Sequence, residues 1–168
     1  MSNQSNVTLT MSKSFEVEAD KVFSAWIQPE LMKKWLFTME MTNKETKSDA
    51  EEGGSWEIVD HREGKDYRAI GEYRVINAPN KLVKTFKMPQ FSDTEDVLTI
   101  SFEPTDSGCN MTFVQKIVVP HEEGWTQEDI DKACKEYHDG SKAGWEMMFE
   151  GLKQLVETGK IDYPTDNN

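Results

Sequence analysis

The side chains of this chain best suited to chemistry are large and apolar, and the chemistry they suggest is binding. Five tryptophans, eight phenylalanines and nine methionines stand among 168 residues. Trp145, Met148, Phe149, Leu152, Leu155 and Val156 follow the three-and-four spacing of one helical face. Trp26, Trp35, Trp56, Tyr73 and Phe86 lie in other segments. Together with Trp145, Met148 and Phe149 they are candidates for the wall of a pocket, because small-molecule sites are mostly apolar with few polar fixtures. As plain core they would fill the space under the helix instead. The residues assigned to ligand binding are Trp35, Trp56, Tyr73, Phe86, Trp145, Met148 and Phe149.

Charged and titratable side chains offer less. The three arginines, Arg62, Arg68 and Arg74, fall in one expected hairpin, with Arg68, Glu72 and Arg74 at the same parity. On a concave face Arg68 and Arg74 would hold an anionic head through bidentate hydrogen bonds. On a convex face they would form a solvated charge ladder beside Glu72. The more apolar opposite parity, with Tyr67, Gly71, Tyr73 and Val75, favours the ladder. His138 follows Cys134 by one helical turn, short of the three or four converging ligands that zinc needs. His121, next to Glu122 and Glu123, lies near an expected pocket mouth, where it is either a general acid or base or part of a solvated loop. His61 sits by a turn and reads as exposed. No nucleophile motif, phosphate-cradling glycine loop, paired-histidine zinc motif or dinucleotide fingerprint occurs, so no catalytic residue, metal or cofactor is assigned.

These residues need elements to position them. Val7, Leu9, Met11, Phe15 and Val17 have the period of a strand with one buried face. Asp20 is placed to cap a short helix carrying Val22, Phe23, Trp26 and Ile27, and Pro29 to open a second with Leu31, Met32 and Trp35 on one side. Residues 38–52 read as one strand and a loop ending at Gly53-Gly54. Strands are then expected over 55–61, 67–78, 82–88, 97–104 and 110–119. Turn chemistry at Glu63-Gly64, Ala78-Pro79-Asn80 and Asp106-Ser107-Gly108 separates them. Thr126 to Asp129 has the form of a capping box, opening a helix that runs to Glu157, about 48 Å if unbroken. Gly140 and Gly144 are candidate points for a kink. Gly159 and Pro164 end the helix, and Thr165–Asn168 reads as a frayed tail. The expected fold class is α+β: a curved antiparallel sheet of six or seven strands, two short helices after the first, and a long carboxy-terminal helix across the concave face. A single domain over 7–160 is expected, with tails 1–6 and 161–168.

Composition narrows the function classes. A chain this long buries roughly 70% of its unfolded surface, so no metal or disulfide is needed to hold it. A net charge of -12 opposes a phosphate backbone, and nucleic acid is not an expected partner. Cys109 and Cys134 lack the spacing of a metal site and read as reduced thiols, which points to the cytoplasm. Met1–Asn6 has neither the basic start nor the apolar core of an export signal, and no apolar run is long enough to insert into a membrane.

Several short patterns, in order, resemble a known family. They are Phe15 and Ala19; Val22-Phe23-Ser24-Ala25-Trp26; Pro29-Glu30-Leu31 with Trp35; Gly53-Gly54-Ser55-Trp56; Gly71-Glu72-Tyr73; Asn77-Ala78-Pro79-Asn80-Lys81-Leu82; and Gly144-Trp145 followed by Phe149 and Leu152. The chain resembles the domain related to the activator of the Hsp90 ATPase, within the START and Bet v 1-like helix-grip superfamily. That resemblance implies the same sheet and long helix, and members that include co-chaperone domains, small-molecule carriers and some enzymes. The leading expectation is a protein that holds a small hydrophobic or amphipathic ligand between sheet and helix, as a monomer or homodimer. A chaperone-associated interaction domain, and a cyclase- or hydrolase-like enzyme using the same pocket, are the alternatives.

Overall fold

The computed structural model describes residues 3–163. Strand β1 (Gln4–Phe15) is followed by helices α1 (Ala19–Ile27) and α2 (Pro29–Trp35). Next come β2 (Asn43–Ser48), β3 (Ser55–Arg62), β4 (Lys65–Asn77), β5 (Lys81–Phe86), β6 (Asp96–Pro104) and β7 (Cys109–Pro120). Helix α3 (Gln127–Thr158) closes the order. All seven strands form one sheet in the order β1-β7-β6-β5-β4-β3-β2, with every neighbouring pair antiparallel. This is the α+β architecture expected from the alternation of the sequence.

Strand β4 is the place where the sheet bends. Its first part pairs with β3 up to Glu72, and its last part pairs with β5 from Tyr73 onward, with a register shift between Tyr73 and Val75. An extra residue on one strand increases local twist, which curls a sheet into a trough. Inward side chains from both halves then converge. Leu82, Leu98, Ile100, Met111, Phe113 and Ile117 are buried on this face.

Helix α3 lies against β1 and β7 and touches α1 and α2. Its start is fixed by the capping box: the Thr126 hydroxyl accepts from the Asp129 amide at 3.2 Å, and the Asp129 carboxylate accepts from the Thr126 amide at 2.9 Å. Its end is set by Gly159 at φ 86°, a left-handed position that suits glycine. Trp145, Phe149, Leu152, Leu155 and Val156 are buried on its inner face. Each such side chain contributes about 1.5 to 3 kcal/mol through burial.

The long carboxy-terminal helix stands as expected, while the ends of other elements depart from the sequence reading. Helix α3 runs through Gly140 and Gly144 without a break, because the capped ends and the buried stripe outweigh two glycines. Helix α1 begins at Ala19 with Glu18 as N-cap, so Asp20 stands in the first turn and favours the helix through its charge near the positive end of the dipole. Strand β1 takes in Gln4–Asn6, read above as tail, since pairing with Val118–Pro120 uses main-chain groups and needs no apolar pattern. The carboxy-terminal reading also shifts: Ile161 packs beside Gly151, and the Tyr163 hydroxyl donates to the Lys34 carbonyl at 2.6 Å. Thr165–Asn168 lies outside the described residues.

Candidate ligand site between sheet and helix

The floor of the site is a row of side chains crossing the concave face. Tyr73 on β4 pairs with Lys84 on β5, Lys84 with Leu98 on β6, and Leu98 with Gln115 on β7. Paired residues share a sheet face, so all four point toward the helices. Lys84 is the exceptional member. It is fully buried, at 0% exposure, and its Nζ has no hydrogen-bond partner among the described residues. Aromatic faces surround it instead: Nζ lies 4.0 Å from the Trp56 ring centroid, 5.3 Å from Tyr73 and 5.6 Å from Trp26. Burial disfavours the charged amine and pushes its pKa down to about 7. Cation–π attraction offsets only part of the desolvation of an ammonium.

Trp56 reaches this position because of a glycine. Trp56 on β3 pairs with Gly71 on β4, and a Cβ at Gly71 would lie 2.6 Å from Trp56 Nε1 and 1.9 Å from the Thr85 carbonyl oxygen. With no side chain there, the indole passes over β4 and donates to the Thr85 carbonyl on β5 at 3.0 Å. Its ring is thereby laid beside Lys84.

Trp26 is the centre of the opposite wall. Its ring meets Trp35 edge-on at 4.7 Å and lies 5.9 Å from Trp145 and 6.2 Å from both Phe113 and Phe149. The other indoles of the site have acceptors. Trp35 Nε1 donates to the Ala25 carbonyl, and Trp145 Nε1 to the Gln115 side-chain oxygen, both at 2.9 Å. Gln115 in turn donates to Asp96 at 2.9 Å, and the Val118 amide donates to the same carboxylate at 3.0 Å. Burial raises the Asp96 pKa, and these two hydrogen bonds oppose that rise. Trp26 Nε1 has no partner among the described residues, although buried indole N–H groups ordinarily find one.

Phe37 joins the two walls. Its ring stacks on Phe86 at 4.6 Å and meets Trp145 at 5.1 Å, with Trp56 at 6.5 Å. It is only partly buried, as are Phe86, Met88 and Met148, so these four form the apolar rim. Phe37 has φ 58°, a left-handed conformation that costs a bulky residue about 1 to 3 kcal/mol. Contacts on both sides hold it there. Its amide points to the Met148 sulfur at 3.2 Å, and the following loop is pinned where the Thr38 and Thr42 hydroxyls donate to buried Asp60 at 2.8 and 2.5 Å.

The structure thus gathers the seven residues assigned from sequence around one centre. Trp35, Trp145 and Phe149 surround Trp26; Trp56 and Phe86 stand on the other side of Phe37; Tyr73 adjoins Lys84; Met148 meets the Phe37 backbone. The Tyr73 hydroxyl is 2.6 Å from that of Ser48, and burial pushes its pKa up to about 12. The arginines form the surface ladder: Arg68 pairs with Glu57 and Arg74 with Glu95 at 3.3 Å, rather than with Glu72. His61 pairs with Asp66, His121 Nε2 lies 2.7 Å from the Ser5 hydroxyl, and half-buried His138 contacts Asp139. Lys84, Phe37, Gln115 and Asp96 were not singled out from sequence. For Lys84 the signal is present, since Leu82, Lys84 and Phe86 alternate on one face and place a lysine among apolar neighbours.

Comparison with known proteins places the architecture. The model of the family described as activator of Hsp90 ATPase homolog 1-like protein matches residues 16–157. A solved Staphylococcus aureus protein of unknown function is 31% identical, covers 93% of this chain and 96% of its own, and superposes with a TM-score of 0.87. A Nitrosomonas europaea protein (20% identity, 92% and 96% coverage, TM-score 0.70) and a Rhizobium leguminosarum protein (19%, 92% and 96%, TM-score 0.71) share the fold. No curated protein matches the chain.

Proposed function

The chain belongs to the family of activator of Hsp90 ATPase homolog 1-like proteins, and from that premise we propose that it binds a small hydrophobic or amphipathic ligand between the sheet and α3. The observation that carries this reading is the aromatic enclosure around two buried polar groups without partners among the described residues, Lys84 Nζ and Trp26 Nε1. A chain selected only for a packed core gains nothing from burying an ammonium group. An apolar residue of similar volume at that position is ordinarily neutral or stabilising. A ligand site, by contrast, is an apolar enclosure with a few placed polar groups.

Entry is at the half-buried rim of Phe37, Phe86, Met88 and Met148, with the Phe37 ring giving way to the ligand. Trp35, Trp56, Tyr73, Trp145 and Phe149 form the wall behind it. The protein acts in the cytoplasm, where the free thiols of Cys109 and Cys134 stay reduced. Among the described residues no helix is long and apolar enough to cross a membrane. A chaperone-associated role has only the family name behind it, whereas the unpartnered donors favour a small ligand.

Native mass spectrometry of gently purified protein, with solvent extraction of what travels with it, tests the reading. A stoichiometric extra mass lost on denaturation is the expected result. A bare protein mass, together with no thermal shift across a panel of fatty and aromatic amphiphiles, would overturn it.

A further inference from the structure

We propose that Lys84 Nζ, together with Trp26 Nε1, is the receptor for the carboxylate of a monocarboxylic amphiphile whose apolar body lies among the rings of the enclosure. This inference rests on the ligand-binding reading above and specifies the head group. Both unpartnered atoms belong to hydrogen-bond donors, an amine or ammonium and an indole N–H. The group missing between them is therefore an acceptor. The two donors are also neighbours: Nζ lies 5.6 Å from the Trp26 ring centroid, which leaves both within the span of one bridging carboxylate.

A carboxylate satisfies three requirements at once. It is an acceptor with several lone-pair sites, so one group serves both donors. It supplies the counter-charge that the protonated amine lacks, since among the described residues no acidic side chain is paired with Lys84 and the faces of Trp56 and Tyr73 adjoin it. It also restores the charged form of an amine that burial alone holds near neutral, so that binding draws a proton onto Lys84. A neutral alcohol or ester offers an acceptor without the counter-charge. The walls are apolar, with Trp56 at 4.0 Å from Nζ and the Phe37 ring 6.5 Å from that of Trp56, so an aromatic or alkyl chain is the portion that would face the rim.

The test compares dodecanoate and 2-naphthoate with their methyl esters on the full-length protein, by calorimetry and tryptophan fluorescence. The wild type is expected to bind each acid at least about tenfold tighter than its ester, as a hydrogen bond to a charged group implies. Lys84→Met should remove that preference, and Trp26→Phe should lower acid affinity about three- to tenfold. Equal affinity of the wild type for acid and ester would overturn the carboxylate assignment and leave the ligand-binding reading standing. Absence of binding by acids and esters alike would overturn both. The wild-type comparison needs no variant to fold, and unchanged acid preference in Lys84→Met would also sink the assignment.

Discussion

At the scale of the residue, Lys84 sets the pH dependence of the molecule. The unfolded chain keeps this amine protonated up to about pH 10.5, whereas the folded protein releases the proton near pH 7. Between those values the unfolded state holds more protons, so stability rises with pH from about 7 to 10.5 and the penalty is largest below 7. Tyr73 acts with the opposite sign. Its folded pKa of about 12 lies above the unfolded value of 10.0, so its contribution is intact below pH 10 and is lost as pH rises through 12. Lys84→Met is therefore expected to raise stability at pH 7 by roughly 1 to 4 kcal/mol, with the gap narrowing toward pH 10. Urea unfolding of both proteins at the two pH values checks this, and a variant less stable than wild type at pH 7 would show that Lys84 is not a burden. Most of the aromatic residues were legible in sequence from their type and, in α3, their spacing, whereas Phe37 lies outside any periodic element and was not. The lysine was not, since composition groups it with the solvated lysines and only its parity within six residues of strand betrays it.

At the scale of the element, backbone space decides what the sequence can do. Gly71 lets Trp56 pass across β4 to Thr85, and a methyl group there would strike main chain. Gly71→Ala should cost about 1 to 3 kcal/mol and expose the Trp56 indole, read as a red shift in fluorescence. Gly140 and Gly144 are the reverse case. Each stands inside α3 with nothing within 4 Å of where a Cβ would go. Ala at either position should stabilise the protein by about 0.5 to 1 kcal/mol, measurable as a higher urea midpoint. The strands, the two short helices and the capping box were readable because period and cap chemistry are local. So was the single long helix α3, although tertiary packing against β1, β7, α1 and α2, which overrides a local propensity, decides that it runs on through Gly140 and Gly144. The curvature of the sheet was expected but its place was not: a bulge between Tyr73 and Val75 depends on how two partners share β4.

At the scale of the whole molecule, charge and aromatic packing have separate consequences. A net charge of -12 repels itself in the compact state, so raising the ionic strength from about 0.02 to 0.2 M should increase the melting temperature by a few degrees. A melting temperature that stays flat or falls would mean that local ion pairs such as Lys13–Glu150, at 2.7 Å, outweigh the global repulsion. The indole cluster gives the molecule a built-in optical signature. Trp26 and Trp35 sit edge to face at 4.7 Å, with Trp145 tilted against Trp26 at 5.9 Å. Transition dipoles held that close at fixed, unequal angles mix their excited states, so the folded protein should carry exciton bands in circular dichroism beyond those of isolated indoles. Light absorbed by one of these rings is shared with its neighbours, and a group seated at Lys84, beside both Trp26 and Trp56, would disturb the whole array rather than one chromophore.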